Sequence, residues 1–302
     1  MKLSILGCHS ATPRVNTNPT SQVLEIKNHI FLIDCGEGTQ VALRKQKIRF
    51  SRIKHIFISH LHGDHYFGLF GLIGTFNLSQ RETELHIYAP RGLKELITMQ
   101  MKLAGSWTTY PLIFHELQSK QSEVIFEDTK VAVKTVPLNH RVYTNGFVFS
   151  EKLGERKLDI DAVREANINK AYYQKLKQGA DVFNEDMVLI DYKTVTADPQ
   201  PAKSYAFCSD TAYDERIIPH IKNVTALYHE STFLEKHLSL CDYTKHSTAK
   251  QAALIAKAAN VGQLILGHYS TRYNNYTDFK AEAQKVFDNV ILAKDGKMVE
   301  FN

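Results

Sequence analysis

The chain has 302 residues, 43% hydrophobic and 23% charged, with a net charge of +5 at pH 7. That balance excludes a disordered tail and a mini-protein, and it permits an anionic partner without identifying one. No apolar run approaches the roughly 20 residues that span a bilayer, so no membrane partner is expected. The short apolar stretch of "MKLSILGCHS" predicts no signal peptide and a cytoplasmic location. Cys8, Cys35, Cys208 and Cys241 are widely spaced, form no C-x-x-C pair and are read as free thiols.

In chain order, short apolar runs read as strands: "KLSILG" (2–7), "QVLEI" (22–26), "IFLIDCGEG" (30–38), "IKHIFISH" (53–60) and "TELHIYAP" (83–90). The same reading covers "KVAVKTVPLNH" (130–140), "KSYAFCSD" (203–210), "VTALYHE" (224–230), "QLILGH" (263–268) and "NVILA" (289–293). Apolar residues three and four apart predict helices over 91–104, 212–222, 247–259 and 277–287. The pattern is mixed α/β, without repeats, heptads or a linker. It predicts one domain over 1–302 with an insertion at 150–203, polar and helical at first, then returning through the loop-like "DYKTVTADPQP".

The strongest chemical signal is "FISHLHGDH", a strand followed by His60, His62, Asp64 and His65. Imidazole and carboxylate suit zinc and similar divalent ions. In extended backbone, residues two apart share a side, so His60 and His62 can grip one metal while Asp64 and His65 address a second position. Without a metal, so many polar groups beside an apolar strand would carry a desolvation cost. Further ligands belong where other strands end: His140, Asp210 and His268. This predicts His60, His62 and His140 on one zinc, Asp64, His65 and His268 on the other, and Asp210 bridging the pair at a separation suited to phosphoryl chemistry. Manganese is the alternative ion.

At these residues the sequence resembles the metallo-β-lactamase superfamily, whose signature is H-x-H-x-D-H after a strand. Within it, the sequence resembles the ribonuclease Z family of tRNA 3′-processing endoribonucleases. Segments carrying that resemblance are "IDCGEGTQ" (33–40), "YPLIFHEL" (110–117), "PLNH" (137–140), "CSDT" (208–211), "YHESTF" (228–233), "KHSTAKQAA" (245–253) and "LGHYSTRY" (266–273). The resemblance implies a four-layer αβ/βα sandwich, usually a homodimer, with the insertion as an arm that clamps tRNA. It implies the same seven metal ligands and makes Asp64 the proton acceptor. The chain departs from the family in "SATPRVNTNPTS", where Thr17 precedes Asn18, and in "INKAYYQKLKQG", which lacks a Gly-Pro segment.

The implied reaction is zinc-dependent hydrolysis that removes the 3′ trailer of precursor tRNA, leaving a 3′-hydroxyl on the tRNA and a 5′-phosphate on the trailer. His246 is a candidate proton donor to the departing 3′-oxygen, with Glu230 holding it; the alternative is a helix cap shared with Ser247. Ser270, Arg272, Tyr273 and Arg14 are candidate substrate contacts, Arg being suited to bidentate phosphate binding. The basic run Arg44, Lys45, Lys47, Arg49, Arg52 and Lys54 would attract RNA if it borders the cleft. A small-molecule hydrolase of the same superfamily, acting on a lactone, thioester or phosphodiester, would need no arm. A non-catalytic RNA-binding protein would need no complete ligand set.

Overall fold

The computed structural model describes residues 1–301. Its first half forms strands β1 (Lys2–Gly7), β2 (Ser21–Ile26), β3 (His29–Ile33), β4 (His55–Phe57), β5 (Leu85–Pro90) and β6 (Leu112–Leu117). Side chains alternate between the two faces of this sheet. Leu3, Ile5, Leu24, Phe31 and Phe57 enter one core, whereas Val23, Ile30, Leu32 and Ile56 enter another on the opposite face. The second core is closed by helices α1 (Thr39–Lys45), α2 (Gly63–Tyr66), α3 (Gly68–Leu78) and α4 (Leu93–Ala104). Leu69, Leu72, Ile73 and Phe76 of α3 repeat at helical spacing, and all point into it.

The chain then forms β7 (Val124–Glu127), β8 (Val131–Pro137) and β9 (Asn145–Glu151). Gly146 in β9 lies where any Cβ would come within 2.5 Å of the Phe207 carbonyl oxygen, so only glycine lets these strands approach. Residues Glu151–Ala202 form a second compact unit. It contains β10 (Lys157–Leu158) paired with β13 (Thr196–Ala197), β11 (Val182–Phe183) paired with β12 (Leu189–Ile190), and helices α5 (Ile160–Glu165) and α6 (Tyr173–Lys177). Val163, Ile168, Leu176, Val182 and Val195 give this unit its own small core.

After it come β14 (Ser204–Cys208), α7 (Ile218–Ile221), β15 (Ala226–Glu230), α8 (Leu238–Thr244), α9 (Ala249–Ala258), β16 (Leu264–Gly267), α10 (Thr277–Ala283), β17 (Val290–Leu292) and β18 (Met298–Glu300). The first sheet runs β18-β1-β2-β3-β4-β5-β6 and the second β17-β16-β15-β14-β9-β8-β7. The two pack face to face through Ile5, Phe31 and Phe57 against Val133, Phe147 and Phe149. Each such side chain contributes about 1.5–3 kcal/mol on burial. Tyr205, Ala206, Phe207 and Cys208 of β14 are all buried, because α9 and α10 cover the outer face of the second sheet; the strand therefore reads as a continuous apolar run. The body is the expected four-layer α/β sandwich. Helix α9 starts at a capping box between Thr248 and Gln251.

Strands β6, β7, β9 and β18 were outside the sequence expectation, being half-buried, short or without strict alternation. The helix expected over 212–222 is a 3₁₀ turn, Glu215–Ile217, followed by α7; Asn223, with φ 59°, ends it in the left-handed region. The insertion holds two strand pairs besides the expected helices. Among the described residues no helix is long and apolar enough to cross a membrane.

Candidate metal centre

Strands β3, β4 and β5 are mutually parallel, as are β14, β15 and β16. Parallel strands deliver their carboxyl ends to one rim, and loops there can carry polar groups on rigid supports. Asp34 follows β3, His60 follows β4, Asp210 follows β14, Glu230 ends β15 and His268 follows β16. The exits are sharp: Asp34, Asp210 and His268 have φ of 54°, 60° and 59°. Asp and His are among the residues that tolerate this left-handed region, and strained backbone of this kind gathers at functional sites.

Two clusters result. His60, His62, His140 and Asp210 place one potential ligand atom each within 4.8 Å of one another, and Asp64, His65, Asp210 and His268 do the same. Asp210 belongs to both and divides its oxygens between them. Its Oδ2 lies 3.7 Å from His60 Nε2 and 3.8 Å from His140 Nε2, whereas Oδ1 lies 3.3 Å from His65 Nε2 and 3.2 Å from His268 Nε2. Asp64 Oδ2 sits 3.3 Å from His65 Nε2 and 3.6 Å from His268 Nε2. His62 Nδ1 closes the first cluster, 2.9 Å from His60 Nε2 and 3.3 Å from His140 Nε2.

The outward nitrogens of these rings are tied down. His60 Nδ1 meets Ser59 Oγ at 3.0 Å, His65 Nδ1 meets Asp34 Oδ2 at 2.6 Å, His140 Nδ1 meets the Lys245 carbonyl at 2.9 Å, and His268 Nδ1 meets Thr232 Oγ1 at 2.9 Å. Such bonds fix ring orientation and leave the other nitrogen free to ligate. Accordingly the buried Nε2 atoms of His65 and His268 have no hydrogen-bond partner. Burial holds the His60 imidazole well below its ordinary value and so neutral, as a ligand must be. Burial would lower His65 too, but the charges of Asp210, Asp64 and Asp34 outweigh it and push it well up. Three carboxylates around one imidazole make a pocket that calls for a cation. The donor set fits divalent metal ions.

A cavity of about 610 Å³ opens over the clusters, lined among others by His62, Asp64, Asp210, His246, His268 and Ser270. His246 Nδ1 lies 2.7 Å from Glu230 Oε1. Burial alone would depress His246, but the Glu230 carboxylate, by charge and hydrogen bond, raises it to about 9. Glu230 also accepts from the Thr211 N–H at 2.9 Å, and Thr232 Oγ1 donates to it at 2.6 Å. The other candidates are disposed differently. Tyr273 is buried, with its hydroxyl accepting from the Leu234 N–H and 2.6 Å from His237 Nδ1. Arg14 donates to the Tyr273 and Thr271 carbonyls and to Asn274 Oδ1, bolting the N-terminal loop to the loop after His268. Arg272 is exposed, and neither it nor any of the basic run Arg44 to Lys54 lines this cavity.

A family model described as "Anti-Pycsar protein Apyc1" matches residues 1–155, a stretch that contains the His60 to His65 motif but not Asp210 or His268. Curated relatives extend over the whole. A protein named ribonuclease Z from Bacteroides fragilis is 43% identical over 294 residues, covering 97% of each chain. One of the same name from Bacteroides thetaiotaomicron is 41% identical and covers all of this chain and 95% of its own. The chain belongs to the ribonuclease Z family. Its fold matches human tRNase Z, short form, with a TM-score of 0.73 at 24% identity over the full length of both. It also matches the metallo-beta-lactamase fold protein YhfI from Bacillus subtilis, with a TM-score of 0.67 at 19% identity over 99% and 98% of the two chains. The ribonuclease Z relationship spans both ligand clusters, whereas the Apyc1 match covers His60, His62, Asp64, His65 and His140 and ends before Asp210 and His268. Sequence reasoning had assigned no role to Asp34, Ser59 or Thr232. Asp34 could have been found by the rule that found Asp210, since it too ends an apolar strand.

Proposed function

We propose that this member of the ribonuclease Z family is a metal-dependent endoribonuclease that removes the 3′ trailer from precursor tRNA, leaving a 3′-hydroxyl on the tRNA and a 5′-phosphate on the trailer. The observation that carries the reading is the single carboxylate of Asp210 facing two ligand clusters beneath an open cavity, in a chain related end to end to ribonuclease Z. His60, His62 and His140 would hold one ion, Asp64, His65 and His268 the other, with Asp210 shared. Bound divalent ions supply Lewis-acid neutralisation of phosphoryl oxygens and acidify water.

The chain's own groups account for the remaining chemistry. Asp64 reaches into the cavity and accepts the proton of the attacking water. His246, kept protonated by Glu230, donates to the departing 3′-oxygen. Ser270, buried at the cavity wall, is placed to meet substrate. The unit Glu151–Ala202 is the tRNA-gripping arm in this reading. Zinc as the resident ion, a homodimer and a cytoplasmic location belong to the same proposal.

The test is incubation of wild type and Asp64→Ala with a 3′-extended precursor tRNA and zinc, followed by mapping of the new ends. A single cut after the discriminator nucleotide, lost in the variant, is expected. A metal-loaded wild type that leaves the precursor intact would transfer the reading to a small-molecule hydrolase.

A further inference from the structure

A second cavity, of about 800 Å³, lies beside the metal centre. One wall is the loop Ser119–Ser122 between β6 and β7, another is the loop Pro137–Asn145 between β8 and β9, and a third comes from Asp214, Arg216 and His220 around α7. Arg141, which directly follows His140, is the one residue among those described that lines both this cavity and the one over the clusters. The two spaces therefore adjoin at a guanidinium.

The walls are built rather than incidental. Tyr143 donates its hydroxyl to the Ser119 carbonyl at 2.9 Å, joining the two loops, and Asn145 Nδ2 donates to that hydroxyl at 2.8 Å. The Asn145 N–H donates to the Ser59 carbonyl at 3.0 Å, which fastens the same loop to the residue before His60. The charges inside are unequal. Asp214 is neutralised by a two-pronged contact from Arg216. Arg141 and Lys120 are exposed and make no hydrogen bond or ion pair among the described residues. Two uncommitted cations and the aromatic surface of Tyr143 form the combination by which grooves hold single-stranded nucleic acid, phosphates on cations and a base on a ring.

We propose that this cavity is a second RNA-binding groove, which holds the single-stranded segment flanking the scissile phosphodiester, with Arg141 at the passage and Lys120 on the far wall. The proposal rests on the nuclease reading above. Phosphates of the trailer and of the tRNA's own 3′ end share this chemistry, and the kinetics below distinguish them.

The experiment compares steady-state cleavage of precursors with trailers of about two and about twelve nucleotides by wild type, Lys120→Ala, Lys120→Glu and Lys120→Arg. Lys257→Ala, on the exposed side of α9, serves as a control. For a trailer in the groove, Lys120→Ala raises KM several-fold for the long substrate only and lowers the salt slope of its binding by about one unit, and Lys120→Arg restores both. An equal rise for both lengths places the tRNA's 3′ end in the groove and supports the proposal equally. If neither Lys120→Ala nor Lys120→Glu moves KM beyond about twofold for either substrate, the groove carries no RNA and the proposal falls. Failure of the wild type to cut either precursor would instead sink the nuclease reading itself.

Discussion

His246 Nδ1 and Glu230 Oε1 stand 2.7 Å apart, and the same buried carboxylate reaches His268 through Thr232. Glu230 thus orients the rings of His246 and His268 at once, the proton donor and one of the metal ligands in the proposed function. Neither residue neighbours the other in sequence, because one ends β15 and the other precedes α9.

His246→Ala is expected to lower kcat by about 10²- to 10⁴-fold, the range for loss of a positioned acid, while metal content measured by elemental analysis stays at the wild-type level. A substrate whose departing 3′-oxygen is replaced by sulfur leaves without a proton and should recover most of that loss. An unrescued variant would remove His246 from the acid role.

Asp34 holds His65 from behind at 2.6 Å, fully buried. Asp34→Asn keeps the shape and removes the charge, so metal affinity should fall by about 10- to 100-fold in chelator competition, with the far-ultraviolet spectrum of the protein retained. Unchanged affinity would mean that the loop backbone alone orients His65.

Gly68 opens α3 shortly after the His60–His65 segment, and a Cβ there would lie 2.1 Å from the Gly36 carbonyl oxygen. Backbone cannot yield as a flexible side chain can, so Gly68→Ala should destabilise the protein by about 1–3 kcal/mol in denaturant titration. A neutral effect would show that α3 and the Gly36 turn can separate freely.

At the turn between β7 and β8, Asp128 accepts from the N–H groups of Lys130 and Val131, both at 2.7 Å, and lies 2.7 Å from His29 Nε2. Burial would raise its carboxyl, but the two backbone N–H groups and His29 lower it below the ordinary carboxylate value. A depressed folded-state value means that the stabilisation is fully present above the unfolded value, about 3.9, and is lost as pH falls through the folded one. Asp128→Ala should therefore be less stable than wild type by about 1 kcal/mol at pH 7, with the gap closing below about pH 4. A gap independent of pH would contradict this account.

The strands that end in a polar residue were legible because a buried apolar run followed at once by Asp or His has few purely structural explanations. The expected ligand residues all gather at the two clusters. Arg14 and Tyr273 show the limit of that reading. Both follow motifs beside the site, yet one is committed to carbonyls and the other to an internal hydroxyl network, and nothing in a linear pattern reports which way a side chain turns. Asp34 escaped for the opposite reason: it supports a ring set 31 positions later, a relationship that only pairing of β3 with β4 creates.

Asp210 gathers groups from both halves of the polypeptide, since His60 to His65 follow a strand of the first sheet while His140 and His268 follow strands of the second. A nascent chain emerging from the ribosome therefore displays the first histidines long before their counterparts exist. A product truncated before Asp210 would hold His60, His62, Asp64, His65 and His140 but neither the shared carboxylate nor His268, so both clusters would be incomplete. Both clusters are complete only when Asp210 and His268, from the last third of the chain, join residues of its first half.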